Sequence, residues 1–256
     1  MSNLQDHVVI VTGSTSGIGK GLARYLHTQG CQVVLNGLGK PDEIKRLQSE
    51  MKAAYHAADM TKPDEIADLI ATVKRDYGRV DGLVNNAGVQ HVAPVDRFET
   101  EAWDKVIAIN LSACFHAIKA VVPVMRAQGR GRIVSIASAH GLVASPFKSA
   151  YVAAKHGLLG LSKSVALEVA EDNITVNTIC PGYVKTPLVE GQITAQAEAR
   201  NLDEETVMRD IILAAQPTKR FVEIDEIGGM LAYLLSDAGA SVNGAALSID
   251  GGWTAK

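Results

Sequence analysis

The run V-V-I-V passes directly into T-G-S-T-S-G-I-G, from Val8 to Gly19. No other feature constrains the fold of this chain as much. A β-branched strand that ends in a glycine-rich turn and then opens a helix is the first unit of a parallel α/β sheet. Gly13 permits the tight turn. Around Gly17 and Gly19, the backbone of Thr15, Ser16 and Ile18 can approach a ligand at the helix N-terminus. The helix dipole favours an anion there, and a pyrophosphate is the natural occupant. The spacing G-x-x-x-G-x-G differs from the common dinucleotide fingerprint.

The rest of the chain repeats the alternation. Strands are predicted at His7–Thr12, Gln32–Leu35, Ala53–Ala57, Gly82–Asn85, Arg132–Ala137, Ile174–Ile179 and Ala246–Ile249. Helices are predicted at Ile18–Gln29, Pro41–Met51, Pro63–Tyr77, Glu101–Arg126 (in one or two segments), Ser149–Ala170 and Glu223–Leu235. Right-handed crossovers make this a doubly wound parallel sheet of Rossmann type. The 256 residues suit a single domain with a full core. Thr186–Pro217 breaks the alternation with a helix-prone stretch just past a strand end. That is where a helical lid over a site is expected.

Charged residues make up 21% and the net charge is −3, which argues against nucleic acid or a membrane surface as partner. Cys31, Cys114 and Cys180 are scattered, without a C-x-x-C, and no uninterrupted apolar run reaches membrane-spanning length. The N-terminus is polar. A cytoplasmic setting is the expectation, with no bound metal.

The second strand ends V-V-L-N-G-L-G, with no cation before Lys40. Asn36 can bond a ribose, and Leu38 suits a phosphate poorly, so NAD is favoured over NADP. Asp59 and Met60 close the third strand, where an adenine can pack; Asp59 reads nearly as well as a loop cap before Thr61. Further on, Tyr151 and Lys155 share a helix face in Y-V-A-A-K. A free phenol ionises near pH 10 and is a poor base at neutral pH. An ammonium ~4 Å away, at an effective dielectric of ~20, favours the phenolate by about 4 kcal/mol before desolvation opposes it. Ser138 closes the strand R-I-V-S-I-A-S, where it can donate to a substrate oxygen. Asn110, in I-A-I-N-L, can bend or hydrate its helix and admit a proton-relaying water chain.

With T-G-S-T-S-G-I-G, N-N-A-G (Asn85 to Gly88), Asn110, Ser138, Y-V-A-A-K and P-G-Y-V-K-T-P in this order, the chain resembles the short-chain dehydrogenase/reductase family over nearly its whole length. The resemblance implies Tyr151 as acid/base and Lys155 on the nicotinamide ribose, assisting the phenol. It implies Ser138 orienting substrate and Asn110 in a proton relay. Asn86, Ala87 and Gly88 would line the adenosine side. Pro181, Gly182, Val184 and Thr186 would flank the nicotinamide. The tail A-L-S-I-D-G-G-W looks like the segment that helps such proteins form tetramers.

Substrate identity must come from other residues. Gln90, His140, Lys148 and Gln192 are expected to face the pocket and suit a small carboxylate. N-A-G-V-Q-H-V-A-P-V, S-A-H-G-L-V-A-S-P-F-K, V-K-T-P-L-V and N-G-L-G are similar to the bacterial members of that family that oxidise (R)-3-hydroxybutyrate to acetoacetate with NAD. That resemblance implies that the four side chains hold the carboxylate. Tyr183 stands where those proteins usually carry Trp, and Gly191 where Lys is usual. A 3-oxoacyl thioester reductase using NADPH and a non-catalytic nucleotide-binding regulator are the alternatives. The first lacks a basic cluster for the extra phosphate; the second is at odds with an intact Ser/Tyr/Lys/Asn set.

Overall fold

The computed structural model describes residues 4–186, 189–190, 193–194, 197–198 and 201–255. Seven parallel strands form one sheet in the order β3-β2-β1-β4-β5-β6-β7. They are β1 Val8–Val11, β2 Gln32–Asn36, β3 Ala54–His56, β4 Gly82–Asn85, β5 Gly131–Ile136, β6 Ile174–Pro181 and β7 Ala246–Ile249. The central strands are buried on both faces, so they read as continuous β-branched runs and not as alternating ones.

Helices α1 Gly17–Thr28, α2 Pro41–Met51 and α8 Ile224–Leu235 cover one face, where Leu22, Leu26, Leu47, Ile227 and Leu231 share a core with β1 and β2. On the other face lie α3 Pro63–Tyr77, α5 Ala113–Gln128 and α6 Ser149–Glu168; here Ile66, Leu69, Val121 and Met125 pack on β4 and β5. Local chemistry sets the helix ends. Pro41 and Pro63 open α2 and α3, where a missing N–H costs nothing, and Gly78 closes α3 in the left-handed conformation. Glu223 and Glu226 form a reciprocal capping box on α8.

The expected alternation is present, with small shifts of boundary; β6 runs on to Pro181, which pairs with Ile249 at the strand end. The predicted Glu101–Arg126 stretch is α4 Thr100–Ile107, a wider π turn over Ala108–Ser112, and α5 without a break. Thr100–Gln128 is long and apolar enough to cross a membrane by length and composition. Its face of Cys114, Ala117, Ile118, Val121 and Met125 is buried against the sheet and α3. In the lid stretch, a short helix, α7 Glu204–Thr206, runs into a π turn over Val207–Ile212. Ile193, Ala197, Val207, Ile212, Leu213 and Phe221 form a small core of their own beneath it.

Strand order reverses between β1 and β4, because β1 is followed to one side by β2 and β3 and to the other by β4. The crevice at the carboxyl ends of these strands is where such sheets bind ligands.

Candidate active site

Gly13 has a φ of +63° and packs so closely that a Cβ there would lie 2.8 Å from Ala87 Cα. Only glycine makes that turn and that approach. At Gly17, φ is +52° and nothing lies within 4 Å of the Cβ position, so the backbone at the start of α1 faces open space. No acidic residue occupies the first turn of α1, and the Ser16 side chain makes no cap bond. The helix end is thus open to an anion, and a dinucleotide pyrophosphate fits this cradle.

Two residues outside the expected set hold the cradle in place. The Thr12 hydroxyl accepts the N–H groups of Asn86 and Ala87 at 3.0 and 3.1 Å, while Asn86 Nδ2 donates to Thr12 O at 2.9 Å. Ser14 Oγ donates to Asn36 O at 3.2 Å and accepts Asn36 N–H at 3.0 Å. Asn36 itself does not fulfil its expected role. It is fully buried, its Oδ1 accepting Gly13 N–H at 3.4 Å and its Nδ2 donating to the carbonyls of His56 and Ala58 at 3.1 and 2.9 Å. The amide is consumed in tying β1, β2 and β3 together and cannot reach a ribose hydroxyl. Leu38 is 86% exposed at the rim, with its carbonyl bonded by the Thr15 hydroxyl. For Asp59, the structure supports the loop-cap reading: Oδ1 accepts both N–H and hydroxyl of Thr61 at 2.8 Å, and these bonds hold its carboxyl below the usual range. The Met60 side chain belongs to the core beside Ala58 and Ile66.

At the chemical end, α6 presents Tyr151 and Lys155 on one face. Lys155 is buried, its Nζ donates to Ile136 O at 2.9 Å, and it lies 5.6 Å from the Tyr151 ring centroid. Ser138 follows β5 in extended conformation and accepts the His140 N–H at 3.1 Å. Asn110 lies inside the π turn, as the expected bend requires. Its Nδ2 donates to Val89 O at 2.8 Å and Val106 O at 2.9 Å, and its Oδ1 is buried without a protein partner. A π turn frees helix carbonyls, and an orphan acceptor beside it suits an ordered water.

His140 is the hub of the substrate side. Its ring lies 6.0 Å from that of Tyr151 and 5.0 Å from that of Trp253, both edge-on. Nε2 is 2.7 Å from Ser145 Oγ, and Nδ1 is 3.5 Å from Ser138 Oγ. Burial, with Lys148 and His156 adding, lowers its pKa to about 4, so the imidazole is neutral at pH 7. Lys148 has its Nζ 5.8 Å from the Tyr183 ring centroid, and desolvation lowers its pKa too. Tyr183 in turn stacks on Trp253 at 5.4 Å and 9°. The loops are cross-tied, because Ala93 N–H bonds Phe147 O at 3.0 Å. Gln90 is exposed just ahead of that tie. Pro181, Gly182, Val184 and Thr186 leave β6 toward the lid, with Gly182 N–H on Ile249 O at 2.8 Å. Gln192 and Gly191 lie outside the described residues.

Ser145 and Trp253 are His140 neighbours that local sequence reasoning missed. Ser145 was legible only as part of the loop before Lys148. Trp253 comes from the far end of the chain, and no local period or spacing links it to His140.

Chemically, this is a dinucleotide cradle beside a phenol, an ammonium and a hydroxyl. A model of the family described as enoyl-(acyl carrier protein) reductase matches residues 13–254. The chain belongs to the short-chain dehydrogenase/reductase family. It is 54% identical over 253 residues to D-beta-hydroxybutyrate dehydrogenase of Rhizobium meliloti strain 1021, covering 96% of this chain and 98% of that one. It is 46% identical to the protein of the same description from Cupriavidus necator, covering 99% and 100%. Among solved structures, levodione reductase superposes with a TM-score of 0.89 at 30% identity, covering 98% of this chain and 99% of that one. This short-chain dehydrogenase/reductase is therefore an oxidoreductase that works with a nicotinamide cofactor.

Proposed function

We propose that this enzyme catalyses the reversible oxidation of (R)-3-hydroxybutyrate to acetoacetate with NAD. The observation that carries the substrate is Lys148. It is a partly desolvated ammonium with no ion-pair partner among the described residues, set against an aromatic wall beside Ser138 and Tyr151. Such a cation favours an anionic ligand, and Tyr183 and Trp253 close the space to a short chain. The two relatives named for D-beta-hydroxybutyrate support the same reading.

In this mechanism Lys148 holds the carboxylate, assisted by Gln90, which is exposed, and by Gln192 as the family resemblance implies. The Ser138 hydroxyl donates to the oxygen on C3. Tyr151, as phenolate, takes the proton of that hydroxyl. Lys155 binds the cofactor ribose and stabilises the phenolate, and the proton leaves past Lys155 toward the water site at Asn110. NAD, when bound, supplies the two-electron acceptor for C3. Reduction of acetoacetate runs the same steps backward. The preference for NAD rests on the end of β2, where exposed Leu38 and no cation before Lys40 offer nothing to an extra phosphate. A homotetramer and a cytoplasmic setting belong to the same proposal. Phe115 on α5 and Leu167 on α6, 46% and 82% exposed, suit contacts between copies, and three buried free thiols suit a reducing compartment.

The test is absorbance of the reduced nicotinamide with purified protein, NAD or NADP, and each enantiomer of 3-hydroxybutyrate. Turnover of the (R) acid with NAD is expected. Turnover of a 3-oxoacyl thioester with NADPH but none of the free acid would assign a thioester reductase instead. Cofactor binding without turnover of any alcohol would leave a nucleotide-binding regulator.

A further inference from the structure

Gln216 lies at the C-terminal root of the lid stretch and is fully buried. Its Oε1 accepts the Tyr183 N–H at 2.8 Å, and its Nε2 donates to Arg220 O at 2.6 Å. Tyr183 is the residue whose ring stacks on Trp253 and lies under Lys148. The amide also packs on both flanks of that wall. A Cβ at Gly182 would come 2.5 Å from Gln216 Oε1, and one at Gly251 would come 3.1 Å from Gln216 Cγ. The neighbouring backbone follows the same path: Thr218 N–H bonds Gly251 O at 3.2 Å, and Val222 N–H bonds Tyr183 O at 2.9 Å. Asp250 then shapes the turn carrying Trp253, accepting the Gly252 and Thr254 N–H groups at 3.0 Å. Three segments remote in sequence thus meet at one amide: the exit of β6, the root of the lid and the C-terminal tail.

We propose that Gln216 is a positioning residue that sets the Tyr183–Trp253 wall, and through it the grip on the acid's short chain. The role rests on the proposed 3-hydroxybutyrate reading. Gln216 packs on Gly182, and its amide bonds neither the glycine-rich turn nor Ser138, Tyr151 or Lys155. Its loss acts on the wall: the partly buried Tyr183 N–H and the Arg220 carbonyl lose their partner together, and the stacked pair loses a tether. The lid root then keeps only its backbone bonds, Thr218 to Gly251 and Val222 to Tyr183.

The test uses the full-length enzyme with Trp103→Phe, which leaves Trp253 as the sole indole of a chain that has two tryptophans. Gln216→Ala and Gln216→Met are compared in that background. The expected result is a KM for (R)-3-hydroxybutyrate raised about tenfold, with kcat and the KM for NAD changed less than about threefold. Acrylamide quenching of Trp253 is expected to rise by about twofold or more. Gln216→Glu serves as the rescue. Burial keeps its carboxyl neutral at acid pH, where it reproduces acceptor and donor alike; ionisation at higher pH removes the donor. Its KM relative to the parent is therefore near one at acid pH and rises with pH. If Ala and Met do not fold, this pH profile decides alone. An unchanged KM and quenching in Gln216→Met, a flat ratio in Gln216→Glu, or parallel losses in kcat and both KM values overturn the proposal. If the parent itself does not oxidise 3-hydroxybutyrate, the substrate reading fails, and the quenching arm still decides whether Gln216 holds the wall.

Discussion

At the amino edge of the sheet, buried Asp81 accepts from Val8 N–H at 2.9 Å and from Arg79 Nε at 2.8 Å, with Arg130 at 3.8 Å. Arg130 also pairs with Asp237 at 3.1 Å, and buried Arg132 donates to the carbonyls of Gly131 and Asn173. At the carboxyl edge the charges are left differently. Lys155 faces a backbone carbonyl and the Tyr151 ring, and Lys148 faces the Tyr183 ring; among the described residues neither forms an ion pair. Both edges desolvate cations. One edge answers with carboxylates from its own chain; the other leaves the answer to what binds. Paired charges at one end hold the strands together, while unpaired charges at the other are the expected mark of a site.

This contrast can be broken from either side. The largest effect is expected for Tyr151→Phe, which should lower kcat about 10³-fold or more while NAD binding, followed by fluorescence titration, stays near that of the parent. Retained turnover would remove Tyr151 from the chemistry. At the opposite edge, Asp81→Ala removes the acceptor of the Val8 N–H and one partner each of Arg79 and Arg130, and should destabilise the fold by about 2 to 3 kcal/mol, read by denaturant unfolding. The folded fraction should keep its KM for substrate; a changed KM with unchanged stability would erase the division between the edges.

His140 links stability to pH. Its folded pKa of about 4 lies below the unfolded value of 6.5, so the unfolded chain binds the proton first as pH falls. Stability contributed by the neutral imidazole is complete above about pH 6.5 and is lost toward pH 4, by about 3 kcal/mol in all. His140→Gln should flatten that part of the unfolding curve, and an acid slope identical to the parent's would contradict the buried neutral ring. The smallest effect is expected for Lys148→Ala, which should raise the KM for the acid roughly 30-fold (about 2 kcal/mol) with little change in stability. Because desolvation lowers the Lys148 pKa from 10.5, the parent's affinity for the acid should fall on the alkaline side sooner than for a solvated ammonium. A KM independent of pH and of this substitution would place Lys148 outside the pocket.

The fold and the shared face of Tyr151 and Lys155 were legible because their signals are local. Glycines at the end of β1 and the Tyr151/Lys155 pair one helical turn apart constrain backbone and side-chain direction within a few residues. The β-branched runs likewise mark strands buried on both faces. The uses of polar side chains were less legible. Asn36 reads as a ribose ligand until three backbone groups, one just past β1 and two at the end of β3, are seen to claim its amide. Asp59 reads first as an adenine-side residue and nearly as well as a cap, and the bonds to Thr61 favour the cap.

What the sequence determined alone is therefore the alternation of elements, the anion-accepting turn and the presence of a phenol with an ammonium beside it. The tertiary structure decided that His140 is neutral, that Trp253 packs on His140 and Tyr183, and that Gln216 ties lid root, strand exit and tail together. The physical reason is burial. Desolvation and hydrogen-bond pairing depend on which distant segments crowd a group, and only the packed chain brings residues 140, 183, 216 and 253 into contact range.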